Sequence, residues 1–473
     1  MSTPTYRWHD SESSPPGHRL PQRWETALFG FGLLLSLAIL CFFAYRVVSW
    51  QELAERGART NTLYVVGATA LASVALFSSC RWCSLLLLAF AARCRQYRRL
   101  PPAPATWPFV SIFVPSYNES ATIASALRSL IELDYPAYEV IVVNDGSADD
   151  TLQQARVFEG RHGRCVVRVY DKPNGGKWSA HNLAFQRSTG ELILCIDADS
   201  RLDPQSLRTL VARMSDPHIA GIAGQMRVRN RSGLLTRLQA LEYLIANGAV
   251  RTGQGLFGTV LIVPGPIGMF RRSVLEEVWL RYTSGQDASK PGAVDGPFEG
   301  DTFAEDFDLS LAIHCLGGRI VYEPGAISFT KSPETIFALV NQRYRWTRGA
   351  IQVLRKFARR ARQDPSLLSP RLLGWLVATC VLDLTILPLL YCLGLSFSLV
   401  VISAGGNLPL LAAMFGAFLM VHISAGAFFV SMHDDRLELL HVLPAYSLYT
   451  GMLLNSAWAI SVVDELRGQS MRW

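Results

Sequence analysis

The sequence predicts an α/β domain with a parallel sheet, placed between N-terminal and C-terminal membrane-spanning helices. From residue 110 onward, strand-like and helix-like patterns alternate at the spacing that is typical of a parallel sheet covered by helices. Hydrophobic residues make up 50% of the 473-residue chain and charged residues only 18%, and the apolar excess is concentrated in blocks outside that region. These two observations together predict a globular domain attached to a membrane.

The apolar blocks and the arginines around them predict the topology. Blocks long enough to span a bilayer cover residues 26–48, 63–92, 372–403, 408–430 and 442–463. Arginines are in excess before the first block and after the second, so the positive-inside rule places the N-terminus and residues 93–371 in the cytoplasm. The predicted divisions are a cytoplasmic tail (1–23), two transmembrane helices (24–93), a proline-rich linker (94–109), the α/β domain (110–332), a segment of basic interfacial helices (333–370) and a C-terminal transmembrane region (371–473).

The strand predicted over residues 192–196 ends at two carboxylates, Asp197 and Asp199. Ligands of open α/β sheets bind at the carboxyl ends of the strands, and two aspartates at i and i+2 can reach one ligand there. Carboxylate oxygens suit Mg²⁺ or Mn²⁺ bridging a diphosphate. The alternative is a loop with two solvated aspartates and a helix N-cap.

Two earlier strands, over residues 110–115 and 138–144, also end in polar residues. Tyr117 and Glu119 follow the first strand, and Asp145 ends the second. Gathered acidic strand ends repel one another, which favours a ligand role such as acceptance of a uracil N–H or a ribose hydroxyl by Asp145. In the following NGGK stretch, two glycines permit a close approach to a ligand and Lys177 offers a point charge, although such a stretch is also typical of a plain turn.

Residues 304–310, AEDFDLS, begin a predicted helix over residues 306–316. A helix N-terminus keeps Asp306 ionised, and partial desolvation beside Glu305 and Asp308 would strengthen it as a base. The alternative is ordinary N-capping by acidic residues. Asp308 lies two positions on, about 200° around the helix, so its loss is expected to matter far less than that of Asp306.

The QRYRW stretch that follows, residues 342–346, supports two interpretations. Arg345 can pair with diphosphate oxygens and Trp346 can offer a flat face to a sugar ring; equally, an interfacial Trp with a snorkelling Arg would look the same. The basic segment beyond it is predicted to lie on anionic headgroups, and its proximity to a membrane span disfavours nucleic acid. Its cations are Arg355, Lys356, Arg359 and Arg360.

Taken in order, VPSYNE, VNDGS, NGGK and DAD resemble the motifs of a family 2 glycosyltransferase with the Rossmann-like GT-A fold. The later motifs VPGPIGMFRR, AEDFDLS and QRYRW are similar to those of processive membrane synthases of poly-N-acetylglucosamine, hyaluronan and cellulose. The resemblance covers residues 110–353 and the pattern of spans, and it does not extend to a PilZ-like domain, so a built-in cyclic-di-GMP switch is not expected.

The resemblance implies a role for each matching residue. Asp306 would be the catalytic base and Asp199 the ligand of Mg²⁺ or Mn²⁺. The implied donor-binding residues are Tyr117, Glu119, Asp145, Lys177 and Asp197, and those near the acceptor and diphosphate are Gln342, Arg345, Trp346 and Glu305.

The implied function is processive, inverting polymerisation of a UDP-sugar, by resemblance UDP-N-acetylglucosamine, into a β-linked exopolysaccharide of the biofilm kind. Its expected partners are the donor, the growing polysaccharide, the lipid bilayer and a small membrane accessory subunit, with no nucleic acid. The expected location is the bacterial inner (plasma) membrane, multi-pass, with the catalytic domain in the cytoplasm. One alternative is a non-processive transferase that adds one sugar to a lipid carrier, and another is an inactive nucleotide sensor or export scaffold.

Two features of the apolar blocks remain open at this stage. Asp383, inside the third block, could line a polymer channel or pair with Arg81 in the second. Five spans would place the C-terminus outside the cell, whereas the LRGQSMRW ending resembles cytoplasmic tails of related enzymes. One apolar block would then be re-entrant or interfacial.

Overall fold

The computed structural model describes residues 80–92, 104–283, 296–403 and 437–469, with isolated positions between residues 27 and 94 and between 416 and 430. The predicted first and fourth spans therefore lie outside the continuously described residues. Within the described part, a nine-stranded sheet forms the centre, and its strands run in the order β3-β4-β2-β1-β5-β8-β7-β9-β6.

The strands are apolar and short, as a buried sheet requires. Their bounds are β1 Val110–Ser116, β2 Tyr138–Asp145, β3 Gly160–His162, β4 Cys165–Lys172, β5 Leu192–Cys195, β6 Arg201–Leu202, β7 Ile219–Val228, β8 Gly268–Arg271 and β9 Arg319–Thr330. Side chains alternate between the two faces of the sheet, so that Val140 and Val142 enter one core while Ile141 and Val143 enter the other. A third apolar cluster, around Leu261 and Phe357, lies apart from both.

Helices cover the sheet and continue beyond it. Their bounds are Cys80–Ala92, Ile123–Ile131, Thr151–Arg156, Lys177–Arg187, Ser206–Arg213, Leu234–Glu242, Val250–Phe257, Arg272–Val278, Glu305–Cys315, Ile336–Gln363, Pro370–Leu376, Leu387–Ser403, Leu443–Leu448 and Asn455–Leu466. Several are joined by π-helical turns, such as Tyr243–Ala249 and Val377–Ile386. Three helices recur below as the Lys177 helix (Lys177–Arg187), the Asp306 helix (Glu305–Cys315) and the Trp346 helix (Ile336–Gln363).

The sheet confirms the α/β prediction but is mixed where a parallel sheet was expected. β4, β2, β1 and β5 are parallel neighbours, as the strand–helix alternation predicts. β8 then runs antiparallel to both β5 and β7. It lies within the VPGPIGMFRR motif, for which the sequence predicted no strand. A four-residue strand with a glycine at its start has too short a pattern to be seen in the sequence.

The membrane prediction is supported for one helix of the described residues. Pro370–Gly394 is long and apolar enough to cross a bilayer, and Cys80–Ala92 is a shorter apolar helix. Arg81 Nε lies 2.6 Å from Asp383 Oδ1, which confirms the predicted pairing of these two groups. The pair lines a cavity of about 510 Å³ between the two helices.

The last predicted span, residues 442–463, is helical, but among the described residues its helices are not long and apolar enough to pass as a membrane span. Polar groups in it and directly after it contact the domain. Tyr449 donates a hydrogen bond of 2.6 Å to the buried Glu242. Asp464 accepts from Tyr344, at 2.9 Å, and Glu465 pairs with Arg348, also buried, at 2.8 Å. This end of the chain therefore packs against the Trp346 helix.

Candidate functional site

The polar residues that follow β1, β2 and β5 meet at one edge of the sheet. These three strands are parallel neighbours, so their carboxyl ends lie side by side. The Lys177 helix starts at the same edge, directly after the NGGK stretch. The Asp306 helix brings its acidic N-terminus to the same place.

Lys177 is the centre of this cluster. Its ammonium lies 2.7 Å from Asp197 Oδ1 and 3.2 Å from Glu305 Oε1, so one cation joins the DAD stretch to the Asp306 helix. Burial lowers the pKa of Lys177, but the neighbouring carboxylates outweigh it and hold the pKa well above its usual range. A side chain at Gly265 would come within 2.6 Å of this ammonium. Glycine at residue 265 therefore lets the VPGPIG stretch pass over the pair without displacing the ends of these two side chains.

Asp306 lies in the first turn of its helix, where its carboxylate accepts the Phe307 N–H at 2.8 Å. Burial and then the charge of Glu305 raise its pKa to about 6, against the opposing effect of Lys177. The sequence predicted both that the helix N-terminus keeps this group ionised and that partial desolvation strengthens it as a base. Desolvation is the larger effect here, so Asp306 is a stronger base than an ordinary aspartate while still ionised at neutral pH.

The side chains that donate hydrogen bonds to Asp199 are hydroxyls, which carry no positive charge. Its Oδ1 accepts from Ser200 at 2.9 Å and from Thr330 at 3.3 Å. Burial, followed by the charge of Asp197, raises its pKa to about 6. The pKa of Glu119 is also raised, chiefly by burial and further by Asp197. A divalent cation with carboxylate ligands would relieve this repulsion, so the oxygen donors around Asp199 fit a divalent cation.

Asp145 is buried within the loop that leads to Lys177. It accepts from Lys172 Nζ at 2.6 Å, from the Gly175 N–H at 3.0 Å and from the Gly176 N–H at 2.8 Å. These contacts fold the NGGK stretch against the end of β2. A nucleotide contact, as predicted for Asp145, would have to share oxygens that already accept these donors.

Tyr117 is different, because 51% of its surface is exposed at the end of β1. Its ring is free to stack on a flat ligand such as a base. The next residue, Asn118, has a positive φ of 54° and accepts the Ala148 N–H at 2.9 Å. The turn that presents Tyr117 is thus tied to the loop after β2.

The QRYRW stretch lies on the Trp346 helix, and its residues face different ways. Arg345 and Trp346 are exposed, the latter by 45%. Arg343 is buried, pairs with Glu242 at 2.8 Å and lies over the Trp346 ring at 4.2 Å. Its neighbour Gln342 accepts from Arg343 at 2.7 Å. Arg343 therefore fixes the indole while one face of the ring remains available.

The structure contradicts the expectation that the basic segment beyond QRYRW lies wholly on lipid. Lys356 is buried and bonded to the carboxylates of Glu299, Asp301 and Asp308. Arg360 lies 3.8 Å above the Tyr282 ring. Only Arg355 and Arg359 are exposed. One basic side of the helix faces the domain because its acidic partners lie there. The local sequence does not reveal these partners.

Three residues with polar contacts at the site were not predicted to have this role. Lys172, which pairs with Asp145, and Arg343, which supports Trp346, were given no individual role from the sequence, and Lys356 was predicted to lie on lipid. The partners of Lys172 and Lys356 are 27 or more residues away along the chain. Only Arg343, inside QRYRW, stands in a motif that could have drawn attention to it.

Residues 111–279 match the family described as Glycosyl transferase family 2. Among curated proteins, the chain is 30% identical over 246 residues to a poly-beta-1,6-N-acetyl-D-glucosamine synthase of Staphylococcus epidermidis; the match covers 52% of this chain and 55% of the relative. A protein of the same name from Staphylococcus aureus (strain COL) is 29% identical over the same length. The chain thus spans about half the length of the curated relatives it matches.

Among solved structures, the fold is similar to that of the mannosyltransferase PcManGT from Pyrobaculum calidifontis, determined in complex with GDP-Man and Mn²⁺. The TM-score is 0.61 and the sequences are 21% identical, with 86% of this chain and 100% of that chain covered. At this identity the similarity concerns the fold. It supports the GT-A-like arrangement of the mixed sheet.

Proposed function

We propose, from its family 2 glycosyltransferase domain, that this chain transfers a sugar from a UDP-sugar donor to an acceptor hydroxyl, with Asp306 as the base. The observation that carries the proposal is the geometry around Asp306. Its carboxylate is partly buried, has a pKa raised to about 6, and lies on the helix that Glu305 joins to Lys177 and, through it, to Asp197. A base at this position lies beside the strand-end residues, and Gly349 of the Trp346 helix packs against Ala304, two residues before it.

In the proposed reaction, Asp306 takes the proton of the acceptor hydroxyl as its oxygen bonds to the anomeric carbon. The bond from that carbon to the UDP oxygen breaks on the opposite face, so the configuration inverts. Lys177 opposes the negative charge that builds on the departing diphosphate, and Arg345, which is exposed, is a second cation for the same task. With the diphosphate bound, the ammonium of Lys177 would interact with the phosphate oxygens as well as with the two carboxylates that contact it.

Asp199 is the proposed metal ligand. Its raised pKa and the nearby charges of Asp197 and Glu119 make a region in which a cation is favourable. A bound Mg²⁺ or Mn²⁺ would supply a Lewis acid that neutralises diphosphate charge. Tyr117 and Glu119 are the proposed contacts to the nucleoside, with Asp145 shaping the loop between them and Lys177.

For the substrate and product we infer polymerisation of N-acetylglucosamine from its UDP donor into a β-linked polysaccharide. The similarity to staphylococcal poly-beta-1,6-N-acetyl-D-glucosamine synthases supports this inference, as does the exposed Trp346 face, which suits a sugar ring of a growing chain. Processive extension and export through adjoining membrane helices complete the proposal, with a small accessory subunit as a candidate partner in the membrane. The second candidate is single transfer to a lipid carrier, which the membrane-type helix Pro370–Gly394 also permits.

The test is a donor screen with the full chain purified in detergent. UDP release is measured for several UDP-sugars with Mg²⁺ or Mn²⁺, and the product is run on a gel and digested with linkage-specific glycosidases. Release from UDP-N-acetylglucosamine with a ladder or smear of product supports polymerisation. A single lipid-linked sugar would favour the second candidate, and no release from any donor would contradict the transferase proposal.

A further inference from the structure

Lys356 lies at a junction between the parts of the candidate site. Its side chain is only 6% exposed, and its ammonium is bonded to Glu299, to Asp301 at 2.7 Å and to Asp308 at 2.5 Å. The three carboxylates are within 4.8 Å of one another, close enough to hold a metal ion. Because the lysine ammonium already fills the space between them, the arrangement is a cation-centred joint and not a second metal site.

The first carboxylate ties Lys356 to the catalytic helix. Asp308 follows the proposed base by two residues on the Asp306 helix. It points away from Asp306, as helical geometry predicts, and into the body of the domain. The bond to Lys356 therefore anchors the first turn of this helix from behind, while Asp306 faces the site.

The other two carboxylates tie Lys356 to the donor side. Glu299 and Asp301 belong to the segment 296–301, which packs on the Lys177 helix. There, Asn182 donates to the Phe298 carbonyl at 2.9 Å and accepts the Phe298 N–H at 3.0 Å. The His181 ring stacks on Phe298 with centroids 4.7 Å apart. Segment 296–301 and the helix that carries Lys177 are therefore expected to move together.

The Trp346 helix itself meets the Asp306 helix along the same face. A side chain at Gly349 would come within 2.9 Å of the Phe303 backbone and 3.0 Å of Ala304. Gln352 accepts the Phe303 N–H at 3.3 Å. Gly349, Gln352 and Lys356 are spaced three and four residues apart, so they form one stripe. Trp346, three residues before Gly349, starts that stripe at the acceptor end.

We propose that Lys356 is a positioning residue for sugar transfer, which sets the base, the donor helix and the acceptor-side tryptophan at their working distances. The inference rests on the proposed function of Asp306. One buried ammonium joins three elements that each carry a different reaction partner: the Asp306 helix, the Lys177 helix through segment 296–301, and the Trp346 helix. Arg360 strengthens the joint by pairing with Glu299 at 3.3 Å.

The test replaces Lys356 with Met, which keeps much of its length and removes its charge. Arg359→Met is the matched control, because Arg359 lies on the same helix and is exposed. Turnover and donor affinity are measured separately, by UDP release and by calorimetry. We expect Lys356→Met to lower turnover by about tenfold to a hundredfold, as small misplacements of reacting groups do, with donor affinity within about threefold of wild type.

A compensating variant guards against simple misfolding. Lys356→Met leaves three carboxylates without their buried cation. Adding Asp308→Asn removes one of these uncompensated charges, so it should recover part of the lost stability, but it cannot restore the contacts that Lys356 makes between the elements. We expect the double variant to turn over more slowly than Asp308→Asn alone. The inference is overturned if Lys356→Met matches Arg359→Met, if turnover and donor affinity fall together, or if the double variant equals Asp308→Asn. Absence of UDP release by the wild type would instead contradict the proposed function.

Discussion

The raised pKa of Asp306 predicts a specific pH dependence of sugar transfer. A base must be ionised to take the proton, so kcat/KM should fall as the pH drops through about 6, the pKa that burial and Glu305 produce. With that pKa, about nine-tenths of the carboxylate is ionised at about pH 7 and only about one-tenth at about pH 5. The expected loss is therefore about tenfold. An ordinary aspartate, with a pKa of 3.8, would lose almost nothing over the same range.

The assay is UDP release at subsaturating donor and acceptor, followed from acid to neutral pH. Asp199 also has a pKa raised to about 6, so its titration must be separated from that of Asp306. Protonation of Asp199 competes with metal binding, and an acid limb due to Asp199 should move to lower pH as the Mg²⁺ concentration rises. An acid limb due to Asp306 should stay in place.

Substitutions around the base should move the acid limb of the pH profile in a direction that can be predicted. Glu305 raises the pKa of Asp306 and Lys177 lowers it, so Glu305→Gln should move the acid limb to lower pH. Asp306→Asn should abolish the limb and lower transfer by about 10²- to 10⁴-fold while donor affinity barely changes. Glu132→Gln, on the exposed surface, is the control. A limb that persists in Asp306→Asn, or full activity of that variant, would refute the assignment of the base.

Other perturbations test separate parts of the structure. Asp199→Asn should abolish turnover in a folded protein and excess EDTA should do the same to the wild type, as measured by UDP release; activity in either case would remove the metal role. Glu465→Gln should lower the thermal unfolding midpoint because it removes the negative charge that pairs with the buried Arg348 at 2.8 Å. An unchanged midpoint would show that this ion pair does not stabilise the packing of the C-terminal helix. Arg359→Gln should weaken activity more in anionic lipid than in neutral detergent, since a charge near an anionic surface contributes at most about 1 kcal/mol; equal losses in both media would place Arg359 away from the membrane.

Local pattern was sufficient to predict the elements that carry the site. The strands β1, β2 and β5 and the Asp306 helix lie where the apolar runs and their polar ends indicate. These features depend on the residues inside each element, so they can be seen in a short window. The Arg81–Asp383 pair was one of the alternatives that the sequence offered for Asp383, because a charge inside an apolar block favours an opposite charge at similar depth.

Contacts between residues that lie far apart along the chain could not be predicted from the sequence. The last predicted span is one example: Tyr449 inside it contacts Glu242, and Glu465, just after it, pairs with Arg348. Both contacts cross more than 100 residues of chain. A hydropathy window weighs each side chain as if it met lipid or water, so it cannot register a buried ion pair with a distant helix.

Asp308 illustrates how a correct local inference can lead to an incomplete conclusion. Helical geometry correctly directs it away from Asp306, and from this alone it would be a neutral comparison for the base. In the folded chain it is buried against Lys356, 48 residues later. A buried carboxylate that has lost its charge leaves its partner's charge less compensated, so Asp308→Asn should disturb transfer through the position of the helix. A loss of turnover in Asp308→Asn would therefore not identify Asp308 as the base. The pH dependence separates the two residues: Asp308→Asn should keep an acid limb near the wild-type pH, whereas Asp306→Asn should have none.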